Sequence, residues 1–173
     1  MINFLLKTFI TFVLLQTSLL SQEINIDKTV LNAQKSHKDT IIYLHRIGCS
    51  YCNSMQEFTL EDDDVNEYLQ ENYEVIHINV SLKDDVTYKG TQSGGICLAK
   101  KIGYDFYPSV LFLDKNSDIE YASVGYKDEL EFLVILNYHR KGFHKKMSLN
   151  EYKKSIDFTK DLDSQIQDPR KHK

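Results

Sequence analysis

The 173-residue chain has no tryptophan, only two prolines and only three cysteines. Three cysteines are too few for a disulfide-stapled scaffold, and an odd number leaves at least one thiol over in any intramolecular pairing. Positive charge is not in excess. Lys plus Arg number 21 against 25 Asp plus Glu, a formal net charge of −4. That balance gives no electrostatic basis for nucleic-acid binding, which requires neutralisation of phosphates. Internal repeats and long low-complexity runs are missing too. What remains is 42% hydrophobic and 12% aromatic, enough for a real core. A disordered or collagen-like chain is excluded, and the length suits one domain with short extensions.

The N-terminal apolar stretch is short. Lys7 precedes Phe9 to Leu15, interrupted by Thr11, and a polar patch follows at Gln16 to Ser18. A membrane span needs about 20 apolar residues. A positive start, a brief apolar core and a small residue before polar sequence are the parts of a secretory signal peptide. Residues 1–21 are therefore expected to be such a peptide, with an uncleaved anchor or a buried helix as the alternatives. Ser21 is small, but Leu19 departs from the small-x-small cleavage pattern. Export would place the remainder in an oxidising setting.

From Gln22 onward, Asp27 is a candidate cap for a helix carrying Val30, Leu31 and Gln34. Thr40 to Leu44 is almost wholly apolar and reads as a buried strand. Met55, Phe58 and Thr59 fall at helical spacing behind Cys49-Ser50-Tyr51-Cys52. Asp64-x-x-Glu67 opens a second or kinked helix with Val65, Tyr68 and Leu69 on one face. Tyr73 to Val80 alternates as a second strand, and 81–95 reads as a polar loop. Ile96, Ala99 and Ile102 mark a short helix stopped by Gly103. Val110 to Leu113 and Ile119 to Val124 form a hairpin around Asp114 to Ser117. Asp128-x-x-Glu131 and Ser148-x-x-Glu151 open two last helices, and the tail after Asp161 is charged. This order predicts an α/β protein whose mixed sheet is covered by helices on both faces.

Cys49 and Cys52 carry the chemistry. Two intervening residues in a first helical turn bring the sulfurs within disulfide reach. The first sulfur then lies at a helix N-terminus, where free N–H groups and the dipole favour a thiolate. Cys49 is thus the candidate nucleophile and Cys52 the resolving thiol. A purely structural disulfide would close a very small loop and stabilise little. A zinc site would need further ligands such as Cys97 with His45 or His77. Haem attachment fails because Asn53 follows Cys52. Pro108 stands directly before a strand and drives Tyr107 toward extended backbone.

The strand Thr40 to Leu44, the Cys49-Ser50-Tyr51-Cys52 motif, Ala99 to Gly103, Tyr107-Pro108-Ser109 to Leu113 and Gly125 together resemble the thioredoxin superfamily over Asp27 to Leu136. The set is most similar to secreted thioredoxin-related proteins of the SoxW-like type, which also carry a Gly-Tyr (Gly125-Tyr126) and a tyrosine-containing C-terminal extension. The resemblance implies a thioredoxin-like fold over 22–136, with a C-terminal helical extension and frayed tail over 137–173. It implies a cis Tyr107–Pro108 peptide facing the cysteines. The Tyr107 backbone would pair with an extended substrate, beside Tyr51. It implies a periplasmic protein-disulfide reductase, a monomer, acting on protein disulfides. A membrane-embedded thiol reductant would be its electron donor, and no metal or organic cofactor is needed. An oxidase or isomerase with the same site, and a non-catalytic binding module, are the alternatives. Two departures stand out. Tyr43 occupies the place where many thioredoxins carry a buried acid, so proton exchange with Cys52 needs another group, such as Glu57, or water. Ser50-Tyr51 supplies no cation to hold a thiolate.

The remaining conspicuous residues receive plainer expectations. Cys97 reads as a small buried hydrophobe. Gly94-Gly95 lacks a phosphate-loop pattern. Asp62-Asp63-Asp64 reads as a solvated helix start, and the basic run His139 to Lys146 as a solvated linker.

Overall fold

The computed structural model describes residues 23–156. The expected signal peptide or anchor over 1–21 and the charged tail lie outside the described residues. Among the described residues, no helix is long and apolar enough to cross a membrane.

The chain opens with a two-residue strand β1 (Ile24–Asn25) and helix α1 (Ile26–Lys35). Strand β2 (Asp39–His45) leads to α2 (Ser50–Ser54), which continues as a π-helical segment over Met55–Leu60. Then come α3 (Asp63–Asn72), β3 (Tyr73–Asn79), β4 (Asp85–Tyr88), β5 (Thr91–Gly94) and α4 (Gly95–Lys101). Strands β6 (Ser109–Leu113) and β7 (Ile119–Val124), α5 (Glu129–Arg140), a 3-10 turn (Phe143–Lys145) and α6 (Leu149–Ser155) complete it. Helix α5 runs past residue 136, where the sequence was expected to leave the domain.

The central sheet has the order β3-β2-β6-β7. Strand β2 is parallel to β3 and antiparallel to β6, and β6 is antiparallel to β7. Both faces are covered, as the alternation in two strands dictates. Ile41 and Tyr43 of β2, with Val110 and Phe112 of β6, face Met55, Leu60, Val65, Leu69, Phe132 and Leu136. Ile42 and Leu44, with Leu111 and Leu113, face Ile26, Val30, Leu98 and Ala99 of α1 and α4. Each such fully buried side chain contributes about 1.5–3 kcal/mol of transfer free energy. A third cluster of Val134, Tyr138 and Tyr152 docks the C-terminal extension onto α5.

Several local expectations are corrected. The 81–95 loop contains the β4–β5 hairpin, which pairs with β1 as a separate three-stranded sheet. Its two-residue turn has Lys89 and Gly90 at φ 49° and 68°, the doubly left-handed geometry that favours glycine. Asp27 does not cap α1; Asn25 does. The Asp27 carboxylate instead accepts from the Lys89 and Gly90 amides, at 3.0 and 2.9 Å. The cap of α3 is Asp62 rather than Asp64, because its carboxylate accepts from both the Asp64 and Val65 amides. The π register turns Phe58 outward while Met55, Thr59 and Leu60 point in. In α4 the buried side is Gly95, Leu98 and Ala99, so Ile96 faces out and Cys97 is exposed, not buried. The basic run is not a solvated linker throughout. His139 is buried against the Phe112 ring, and Arg140 pairs with Asp39 at 3.1 Å.

Candidate active site

Strand β2 carries the chain through the core and releases it at His45. Gly48, at φ 73°, supplies a left-handed residue that an L side chain rarely adopts, and the next residue is the N-cap of α2. That N-cap is Cys49. Its Sγ accepts from the Cys52 amide at 3.1 Å, the role a Ser or Asp oxygen plays in an ordinary cap. The first turn of α2 contains no acid. A negative sulfur at this position therefore meets an aligned N–H and no opposing side-chain charge.

Cys49 and Cys52 are joined as a disulfide with Cα atoms 5.2 Å apart. Cys49 is half-buried, whereas Cys52 is 2% exposed. The pair is asymmetric, with one sulfur open to a visitor and its neighbour sealed behind it. The Tyr107–Pro108 peptide is cis, and the Tyr107 carbonyl oxygen lies 3.7 Å from Cys49 Sγ. Ser109 Oγ donates to the Phe106 carbonyl at 2.7 Å, and the Gly125 amide donates to the Pro108 carbonyl at 2.8 Å. These bonds fix the segment over the sulfurs.

Of the residues singled out in sequence, Cys49, Cys52, Tyr107 and Pro108 are brought together. Tyr51 lies between the cysteines with its side chain turned to solvent, 67% exposed. Glu57 is exposed on the π segment. Cys97 is a free thiol on the outer side of α4. The sulfurs that a zinc site would have used are committed to one another.

Two features escaped the sequence reading. Ile47 and Phe106, 63% and 70% exposed, join Tyr51 as large apolar side chains within a few residues of the contacting atoms. The signal was available, because both residues flank the motifs, but neither lies in a periodic pattern. Behind the sulfurs, Tyr43 stacks on His45 at 5.0 Å and meets the His77 ring edge-on at 5.6 Å. Strand alternation and the Tyr43–His77 register bring the three together. Burial, with His77 next, lowers the His45 pKa, and burial lowers that of His77. Burial pushes the Tyr43 hydroxyl up to about 12. It remains protonated at neutral pH and donates to the Cys52 carbonyl at 3.0 Å. Tyr43 thus fills the place of the missing acid as a donor to backbone, not as a base for a thiol.

The family profile described as Thioredoxin-like domain matches residues 26–140. A comparison with curated proteins returned no match. A thioredoxin-fold protein from Helicobacter pylori is similar in structure, with TM-score 0.53 and 23% identity, over 74% of this chain and 81% of that one. A thioredoxin from Thermus thermophilus is similar with TM-score 0.53 and 22% identity, over 69% of this chain and 88% of that one. The oxidoreductase DsbH is similar with TM-score 0.53 and 11% identity, over 73% and 92% respectively. At these identities the structural likeness shows the shared fold.

Proposed function

Because the chain belongs to the thioredoxin-like family, matched over residues 26–140, we propose that it is a thiol–disulfide oxidoreductase working as a protein-disulfide reductase. The observation that carries this reading is the Cys49–Cys52 pair, one sulfur accessible as a helix cap and the other buried one turn behind.

In the reduced protein the Cys49 thiolate attacks one sulfur of a substrate disulfide. A mixed disulfide forms and the first substrate thiolate leaves, taking up a proton. Cys52, deprotonated, then attacks Cys49 Sγ, and the second substrate thiolate leaves. The substrate gains two electrons and two protons, and the protein is left with the Cys49–Cys52 disulfide. An external dithiol must restore it. In the exported setting expected from residues 1–21, the periplasm, that donor is a membrane-embedded thiol reductant. The Tyr107 backbone ahead of Pro108 holds the substrate strand, and Tyr51, with Ile47 and Phe106, covers its apolar side chains. The domain expected over 22–136 performs the exchange, and the described part of the extension, to residue 156, packs on α5 through Tyr152. No metal or organic cofactor takes part in the exchange.

Reduction of insulin by dithiothreitol tests the reading. The wild type should accelerate it, and Cys49→Ser should abolish the acceleration. Cys52→Ser should trap substrates as mixed disulfides on Cys49. An inactive wild type, with partner binding retained by the double serine variant, would make this a binding module instead. Equilibration with glutathione fixes the direction. A potential near thioredoxin's, about −270 mV, is expected, whereas one near about −120 mV would identify an oxidase.

A further inference from the structure

Far from the cysteines in sequence, the structure gathers Glu120 of β7, His139 of α5 and His144 of the 3-10 turn. One donor atom from each lies within 4.8 Å of the others. Glu120 Oε1 is 3.0 Å from His139 Nε2, and its Oε2 is 3.5 Å from His144 Nε2. The two imidazole rings stack at 4.5 Å and 15°. The His144 side chain is 5% exposed, yet neither of its ring nitrogens makes a hydrogen bond. A buried polar group left without a partner costs about 1–3 kcal/mol. Two buried histidines converging on one carboxylate, one with both nitrogens unused, is a donor set short of an acceptor of lone pairs.

We propose that Glu120, His139 and His144 form a zinc site that ties the 3-10 turn to strand β7. Imidazole nitrogen and carboxylate oxygen are the ligand types Zn2+ takes, at about 2.0–2.2 Å. The donor atoms already lie within 4.8 Å of one another, and the stacked rings turn to aim their lone pairs at a shared ion. The outer partners fit as well. His139 Nδ1 lies 3.1 Å from Tyr73 Oη and 3.9 Å from Asp39 Oδ2. Metal-ligating histidines use their second nitrogen in this way, which fixes the tautomer that aims Nε2 at the ion. Lys145 Nζ now neutralises Glu120 Oε2 at 2.8 Å, but its side chain is 64% exposed and is free to swing into water when a cation arrives. A cavity of about 290 Å³, lined by Asp39, Asp114, Glu120 and Lys145 among others, opens the Glu120 edge of the cluster to solvent. Three protein ligands leave one position of a tetrahedral zinc to water.

The site is independent of the redox reading, and its test uses the oxidised full chain, in which Cys49 and Cys52 are unable to ligate. After chelator treatment, Zn2+ is titrated by calorimetry and the melting temperature is followed. One equivalent should bind and raise the melting temperature. His144→Gln and Glu120→Gln should each weaken binding by more than about tenfold, since even outer partners of metal ligands are worth about 10–100-fold. Cys97→Ser should change nothing. Co2+ should give a visible spectrum without thiolate charge-transfer bands. Absence of binding by the wild type at millimolar Zn2+, or binding that Cys97→Ser removes and His144→Gln leaves intact, overturns the proposal. In that event the cluster is a proton-shared ion pair.

Discussion

Replacing Tyr43 with phenylalanine separates what the tyrosine does for the fold from what a residue at that place does for the chemistry. The ring is 1% exposed and stacked on His45, and phenylalanine keeps both features. What is lost is the hydrogen bond from Tyr43 Oη to the Cys52 carbonyl at 3.0 Å. That carbonyl also accepts from the Met55 amide, so the substitution leaves no orphaned acceptor. The loss is then that of one ordinary buried hydrogen bond, about 1 kcal/mol, or about 4 °C in melting temperature. Tyr43→Ala removes the ring as well and should cost about 3–5 kcal/mol. Denaturant melts of the three proteins read both values. Turnover should respond differently, because the hydroxyl touches a carbonyl and not a sulfur. Insulin reduction by Tyr43→Phe should stay within about twofold of wild type, a barrier change below about 0.4 kcal/mol, with an unmoved pH profile. An undiminished stability, or a rate reduced tenfold together with a displaced pH profile, would refute the reasoning. The first would mean that the hydrogen bond adds no net stability, and the second would put the hydroxyl in the proton path of Cys52.

The close approach of α4 to the sheet yields a second expectation. A Cβ on Gly95 would lie 3.0 Å from Ile78 Cγ2 and 3.4 Å from Val80 Cα, while one on Gly94 would meet nothing within 4 Å. Gly95→Ala should therefore cost about 1–3 kcal/mol and Gly94→Ala less than about 0.5 kcal/mol, read by denaturant midpoint. The pH dependence of stability has a definite sign. His45 and His77 bind protons less readily when folded, because burial lowers both from 6.5. Their contribution is complete above the unfolded value and is lost as pH falls from there through the folded values. Melting temperature, measured with chelator present, should drop between pH 7.5 and 5 by a margin that His77→Asn reduces; a flat or rising profile contradicts this. Tyr43 acts at the other end. Its pKa is raised from 10.0 to about 12, so its contribution is present below 10 and disappears as pH rises toward 12.

Much of the fold was legible because burial on two faces leaves a strong local imprint. Thr40 to Leu44 and Val110 to Leu113 are apolar on both sides, and they became the central pair of strands. Ser148-x-x-Glu151 closes as a full capping box, and Asp128 caps α5. The Cys-x-x-Cys motif was readable as chemistry from its spacing, whereas the place of Tyr107-Pro108 beside it came only from the resemblance to the thioredoxin superfamily. The β4–β5 hairpin was not, because only Val86 of β4 is buried and its pairing partner is the remote β1. The turn pair Lys89-Gly90 was the one local hint.

The sequence by itself determined the central strands, the caps of α5 and α6 and the pair of sulfurs that are the candidates for the chemistry, since each rests on neighbours a few positions apart. Only the tertiary structure decided that Tyr107, 58 positions from Cys49, presents its carbonyl to that sulfur. It alone put Asp27 under a turn 62 positions away and gathered Glu120, His139 and His144 into one cluster. These juxtapositions arise from the register of β2 against β3 and β6 and from the docking of α5, which sum many weak contacts across the sheet. No short window of residues contains that sum.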